Sequence, residues 1–272
     1  MSDLIHSELL LDSLLSSPLL VNDLGGHPHL DRGFFELAKL EAPLNFSQKL
    51  GHLYEDALEH ILRSHPDVTD LYCSIQVFAD GGRTMGEFDY LFRYRGEIIH
   101  LELAVKFYCA VRPIEGADQL RWYGPDARDH WDRKHQRMLS HQLEIAQTKE
   151  GQDTIEKLFG GRDSKTKHLI YGRLFDPINA KLSEAIDVSQ TASRGMWIWR
   201  SELADHITAK EIWVIPKCLW PCEISATLLS TLEKKTHEEL LTLSEQRAVM
   251  FTDGRDFYFI VHDEWLDGAA LD

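Results

Sequence analysis

Residues 86–108, GEFDYLFRYRGEIIHLELAVKFY, read as two β-strands joined by a tight turn at Arg95-Gly96. Side chains alternate along a strand with period two, so residues of one parity share a face. One face is then apolar: Phe88, Tyr90, Phe92, Ile99, Leu101, Leu103, Val105 and Phe107. The other holds Glu87, Asp89, Glu102 and Lys106. A two-residue loop at 95–96, or a four-residue loop at 94–97, sets one register, with Tyr94 opposite Glu97 and Asp89 opposite Glu102. Opposed side chains sit about 5 Å apart, so two carboxylates there repel unless a cation or a proton lies between them. With Glu87 on the same face and Lys106 further along it, the pattern points to a divalent-metal site for hydrolysis. The plain alternative is a solvated strand face with weak ion pairs.

Working outward, the periodicity predicts a short helix over residues 5–20 and a loop-rich stretch over 21–44, with Phe34 to Leu40 helical. A clear helix opens at Asn45-Phe46-Ser47, capped by Asn45 or Ser47. Its apolar stripe is Leu50, Leu53, Ala57, Leu58, Ile61 and Leu62, with Glu55 near the edge, and Pro66 stops it. A strand follows from Leu71 to Phe78, then the quoted hairpin, then breaks at Pro113 and Gly116. A second long helix is expected from Pro125 to about Lys149, carrying the densest basic stretch of the chain at residues 132–142. Strands are expected at 168–175, 196–199 and 211–216, a mostly helical stretch at 223–243, and a closing hairpin across Asp253-Gly254. Helix, hairpin, helix and strand in this order argue for a central mixed sheet flanked by helices.

At 272 residues the chain is long enough to bury a sizeable core. No apolar run approaches the roughly 18 residues that span a bilayer, and the N-terminal stretch lacks a basic region, so neither a membrane span nor a secretory signal is expected. Cys73, Cys109, Cys218 and Cys222 read as reduced thiols, which suits a cytoplasmic protein. The net charge of −15 argues against tight nonspecific binding to nucleic acid, without excluding a local basic groove. It leaves room for a protein partner, a second copy of the chain or a small phosphate ester. Trp197, Trp199, Trp213 and Trp220 read as core or interface anchors rather than base-stacking platforms. His130, His135 and His141 are spaced by five and six residues and do not align on one helix face as metal ligands would.

Gly86-Glu87-x-Asp89, then Glu102-x-Ala104-x-Lys106 after twelve residues, resembles the PD-(D/E)XK nuclease superfamily. Ala104 stands where that pattern usually has lysine, and Lys106 lies two residues further on the same strand face. Asp132-Arg133-Lys134 with His141-Gln142, Gly172-Arg173-Leu174-Phe175, residues 213–220 and the closing FIVHDEW of residues 259–265 are similar to the domain of unknown function 1853 family. The resemblance implies an α/β, restriction-endonuclease-like core at residues 45–175, preceded by a helical and loop extension at 1–44 and followed by an α+β extension at 176–272.

It also implies roles. Asp89 and Glu102 would hold Mg²⁺ or Mn²⁺, hard cations that prefer oxygen ligands. Glu55 and Glu87 would complete the shell or hold a second ion. Lys106 would orient the attacking water or stabilise developing charge. Lys134, Arg137 and Gln142 would meet DNA or RNA backbone phosphates, which position a substrate without reading its sequence. Each has a bland counterpart, since Glu55 suits a surface helix and the Lys134, Arg137 and Gln142 set suits a solvated helix face. The expectation is a metal-dependent nuclease, and the alternative is a binding or scaffolding module that keeps the fold without turnover.

Overall fold

Arg95 and Gly96 form the expected turn in the computed structural model of the chain, which describes residues 2–37, 43–112, 120–180, 188–209 and 211–269. Both residues have positive φ, 48° and 87°. Such turns match the right-handed twist of the strands they join. The register follows: Tyr94 opposes Glu97, Phe92 opposes Ile99 and Tyr90 opposes Leu101. The breaks expected at Pro113 and Gly116, and the end of the helix expected over Phe34 to Leu40, lie outside the described residues.

In chain order the elements are α1 (Ser2–Ser16), β1 (Leu19–Val21), β2 (Asp23–Leu24), β3 (His27–Pro28), α2 (Leu50–Ser64), β4 (Val68–Phe78), β5 (Thr84–Tyr94), β6 (Glu97–Val111) and β7 (Arg121–Tyr123). Then come α3 (Trp131–Arg137), α4 (Lys149–Phe159), β8 (Ser164–Pro177), β9 (Ser193–Trp199), α5 (Leu203–His206), β10 (Ile212–Ile215), α6 (Ala226–Thr231), β11 (Lys234–Lys235), α7 (His237–Leu243), β12 (Val249–Thr252) and β13 (Phe257–Val261). The fold is mixed α/β. Two compact units are distinguishable, one of residues Met1–Leu20, Lys106–Lys134 and Tyr171–Asp272, the other of Val21–Val105 and His135–Ile170.

In the unit of residues 21–105 and 135–170, β4, β5 and the first part of β6 form an antiparallel meander. Helix α2 covers one face. Its buried stripe is Leu50, Leu53, Tyr54, Ala57, Leu58, Ile61 and Leu62, spaced as a 3.6-residue period demands. Each such aliphatic side chain removed from water contributes on the order of 1.5–3 kcal/mol before entropy is counted. The helix begins later than the sequence suggests. Asn45 accepts from the Ser47 amide and hydroxyl at 3.1 and 2.8 Å, making a turn ahead of the helix, and Lys49 occupies the cap without a side-chain bond. Tyr90 donates its hydroxyl to the Glu55 carbonyl at 2.6 Å, fixing α2 on the sheet. Phe34 packs on Phe92 and Tyr94 on the same side.

The opposite face of the meander buries Leu91 and Ile98 against Ile145, Ala146 and Ile155. Phe88 joins this cluster rather than the face of Tyr90 and Phe92. The expected alternation therefore breaks at Asp89. On the neighbouring strand, Cys73 pairs with Tyr90 and Ile75 with Phe88 in one unbroken register, and Ser74, which lies opposite Asp89, has φ 53°. A residue in the left-handed region turns the strand locally and changes which side its neighbours face.

The long helix expected from Pro125 to Lys149 is instead three pieces. α3 ends at Arg137, a π-turn covers Met138–Gln142, closed by a Leu143 amide to Met138 carbonyl bond of 2.9 Å, and a 3₁₀ turn covers Ile145–Gln147. Thr148 then caps α4 by accepting from the Gly151 amide at 3.0 Å.

In the other unit, the strand order is β11-β10-β12-β13-β9-β8, with the later part of β6 pairing β7. β13 with β9 and β9 with β8 are parallel, and the other registered pairs are antiparallel. One core cluster gathers Ile198, Leu203, Ile212, Leu240, Phe251 and Ile260. Trp197 and Trp220 are buried, each donating its indole N–H to a backbone carbonyl, of Ala110 and Ile215 respectively. The stretch expected to be mostly helical over 223–243 is divided by β11. α7 restarts with a capping box between Thr236 and Glu239.

Candidate functional site

Glu102 has no exposed surface. Burying a carboxylate is costly unless donors meet it. Two do: His100 Nε2 lies 2.8 Å from Oε1, and Gln142 Nε2 donates to Oε2 at 2.9 Å. His100 reaches Glu102 because residues i and i+2 of a strand share a face. Gln142 reaches it from the π-turn, whose extra residue per turn redirects the side chain. The turn can approach the sheet because Gly86 has no side chain. A Cβ there would meet His141 Cε1 at 2.8 Å and Ile145 Cδ1 at 2.7 Å.

His100 is itself fully buried, with Nδ1 3.3 Å from the Thr166 hydroxyl. Burial pushes its pKa down to about 3, with the Asp89 carboxylate opposing and His27 adding to the effect. The ring is therefore neutral. A neutral ring donates from one nitrogen and accepts at the other, so the proton state of Glu102 sets which of Nε2 and Nδ1 carries the hydrogen.

Asp89 is half-buried on β5. Its Oδ2 accepts from the Leu103 amide at 2.9 Å, directly after Glu102 on β6. The registered β5–β6 ladder ends at Tyr90 and Leu101, so the Asp89 carboxylate takes over a backbone donor that the ladder leaves. Asp89 and Glu102 thus share His100 as an electrostatic neighbour.

The other expected residues are placed as follows. Glu55, on α2, pairs with His52 Nδ1 at 2.9 Å. Glu87 is exposed on β5, opposite Gln76 of β4. Among the described residues, no group of three or more His, Cys, Asp or Glu side chains is arranged to hold a metal. Gln142, expected to meet phosphate, is bonded to Glu102. Arg137 is exposed at the end of α3, and Lys134 is half-buried. Lys106 belongs to the other unit, where its ammonium meets Asp129 Oδ2 at 2.7 Å and the Tyr108 hydroxyl donates to Asp129 Oδ1 at 3.4 Å. Burial and the Asp129 charge raise the Tyr108 pKa. Gly172, with φ 152°, lies so close to Lys106 that a Cβ would fall 1.7 Å from the Lys106 carbonyl oxygen.

Sequence reasoning missed His100 and Asp129. His100 was legible as the same-face neighbour of Glu102. Asp129 carried no local signal pairing it with Lys106.

The donors suit a hard cation. A Mg²⁺ ion typically uses one or two carboxylates and keeps several waters; of the two acids, Glu102 is buried with both oxygens hydrogen-bonded, and Asp89 is half-buried. No curated protein and no solved structure matches the chain. Residues 28–252 match the family described as Domain of unknown function (DUF1853), a span covering most of the sequence, and the chain belongs to that family.

Proposed function

We propose that the protein is a divalent-metal-dependent nuclease with a restriction-endonuclease-like core, hydrolysing phosphodiester bonds in DNA or RNA. The observation that carries this reading is the pair of acids on adjacent strands. Asp89 bonds the amide beside Glu102, and Glu102 is buried and oriented by two side-chain partners. Asp89 and Glu102 would hold Mg²⁺ or Mn²⁺. When bound, such an ion polarises a phosphoryl oxygen and lowers the pKa of a coordinated water. His100 and Gln142 hold the Glu102 carboxylate in one orientation, so the ligand is preorganised. The nuclease resemblance assigns Lys106 the role of orienting a water or meeting developing negative charge. Glu55 and Glu87 would complete the shell or hold a second ion, and Lys134 and Arg137 would meet backbone phosphates.

A second reading is favoured by a specific observation. Lys106 is already neutralised by Asp129, and Ala104 occupies the usual lysine position. A binding or scaffolding module that has lost turnover would keep Glu102 for structure alone.

Thermal melts during Mn²⁺ titration separate the two, because a ligand of the native state raises its melting temperature. The nuclease reading expects a shift that Asp89→Ala and Glu102→Gln abolish. It also expects cleavage of single- or double-stranded DNA or RNA that Lys106→Ala removes while metal binding persists. A shift without cleavage supports the module. No shift in the parent protein ends both the metal site and the nuclease.

A further inference from the structure

We propose that the unit of residues 1–20, 106–134 and 171–272 binds a small amphipathic organic anion, with a carboxylate or phosphate head on an apolar body. The site is a cavity of about 770 Å³, within the range of small-molecule sites. It is distinct from the two acids discussed above and does not rest on the nuclease reading.

The floor is apolar and preformed. Ile215 of β10 and Met250 of β12 are directly opposed on one face of the sheet and line the cavity, with Leu232 and Leu243 also in its lining. Trp220 closes one side. Its indole N–H donates to the Ile215 carbonyl at 3.0 Å, and its ring stands edge-on to Phe107 and Phe259 at 5.4 and 4.8 Å. A floor held by a hydrogen bond and two ring contacts loses little entropy when a ligand arrives.

The rim is cationic. Lys217 and Arg247 are exposed and line the cavity. Among the described residues, neither has a carboxylate within ion-pair distance; the Lys217 ammonium sits 5.4 Å from the Trp220 ring centroid. The acids that also line the cavity are compensated by their own partners. Asp126 is held by Arg128 at 2.7 and 3.0 Å, and Glu233 by Lys235 at 2.9 Å. In a chain with 44 acids and 29 bases, two exposed bases outside ion-pair distance of any described carboxylate at the mouth of one cavity run against the average field, Asp126 acting on Lys217 only at longer range. Local placement, not net charge, sets the potential a ligand meets. An inorganic anion would leave the apolar floor wet, and a neutral apolar molecule would leave the rim without counter-charge. An anion with an apolar body satisfies both.

The test is calorimetric titration of the full chain with octanoate, octyl phosphate, octanol and inorganic phosphate, read alongside the methyl NMR signal of Met250. One or both octyl anions are expected to bind once per chain and to shift the Met250 signal, the stronger of them identifying the head group. Octanol and inorganic phosphate should each bind about tenfold more weakly, as should the octyl anions to the Lys217→Glu, Arg247→Glu double variant. Both substitutions are at exposed positions, and an unchanged melting temperature shows the variant is folded. Absence of binding by either anion at millimolar concentration overturns the proposal. So does an anion that binds the double variant as well as the parent, or octanol binding equal to that of octanoate.

Discussion

Glu102 is the residue on which the chemistry of the site converges, and its burial makes it structural as well. Removing its side chain leaves the His100 N–H and the Gln142 amide facing a void. Glu102→Ala is expected to lose about 2–4 kcal/mol in urea denaturation, the sum of a cavity and unpaired donors. Glu102→Gln keeps an acceptor oxygen and should lose less. Equal stability of both variants and the parent would mean the two hydrogen bonds contribute nothing. His168 gives a separate prediction. Its Nε2 donates to the His27 carbonyl at 3.1 Å, and burial pushes its pKa from 6.5 down to about 4. The native state therefore favours the neutral ring while the unfolded chain takes up a proton near pH 6.5. The stabilisation is whole above that pH and is lost as pH falls toward 4, at up to about 1.4 kcal/mol per pH unit. His100 acts in the same direction. Melts between pH 7.5 and 4 should show a shallower decline in His168→Gln, and an unaltered slope would refute the assignment.

At the scale of elements, two local departures from regular structure lie around the same acids. Ser74, opposite Asp89 on β4, takes a positive φ, and the π-turn follows α3 where Gln142 meets Glu102. Regular alternation and a regular helix would each have aimed these side chains elsewhere. π-turns recur at functional sites for this reason. The close approach of β8 to β6 at Gly172 fixes the backbone that carries Lys106. Gly172→Ala cannot be absorbed by a side-chain rotation, because the Cβ would collide with a carbonyl oxygen and the φ of 152° disfavours any L side chain. The expected loss is above about 3 kcal/mol, seen as a lower melting temperature. A variant melting within about 1 °C of the parent would show that the strands separate freely there.

The whole molecule carries a net charge of −15, and among its described residues no helix is long and apolar enough to cross a membrane. Long-range repulsion of a polyanion follows from that charge, whatever the local groove does. Fluorescence anisotropy with a labelled duplex, at physiological salt and without metal, should give a Kd no tighter than about 10⁻⁴ M. Micromolar binding under those conditions would require a basic surface that the charge balance does not lead one to expect. The compact units are each assembled from separated stretches of chain, residues 21–105 with 135–170 in one case. Two of the boundaries fall inside strands, between Val105 and Lys106 in β6 and between Ile170 and Tyr171 in β8.

The turn at Arg95-Gly96, the register of the hairpin it sets and the buried stripe of α2 were determined by the sequence itself. They depend on φ preference and on periods of two and 3.6, which neighbouring residues encode. The hydrogen bond between Glu102 and Gln142 joins residues 40 apart, and the Lys106–Asp129 pair residues 23 apart. Nothing local distinguishes these partners from other polar side chains. Tertiary packing decided them, since only the approach of one backbone to another makes Glu102 dry, and only a dry carboxylate must find its donors within the protein.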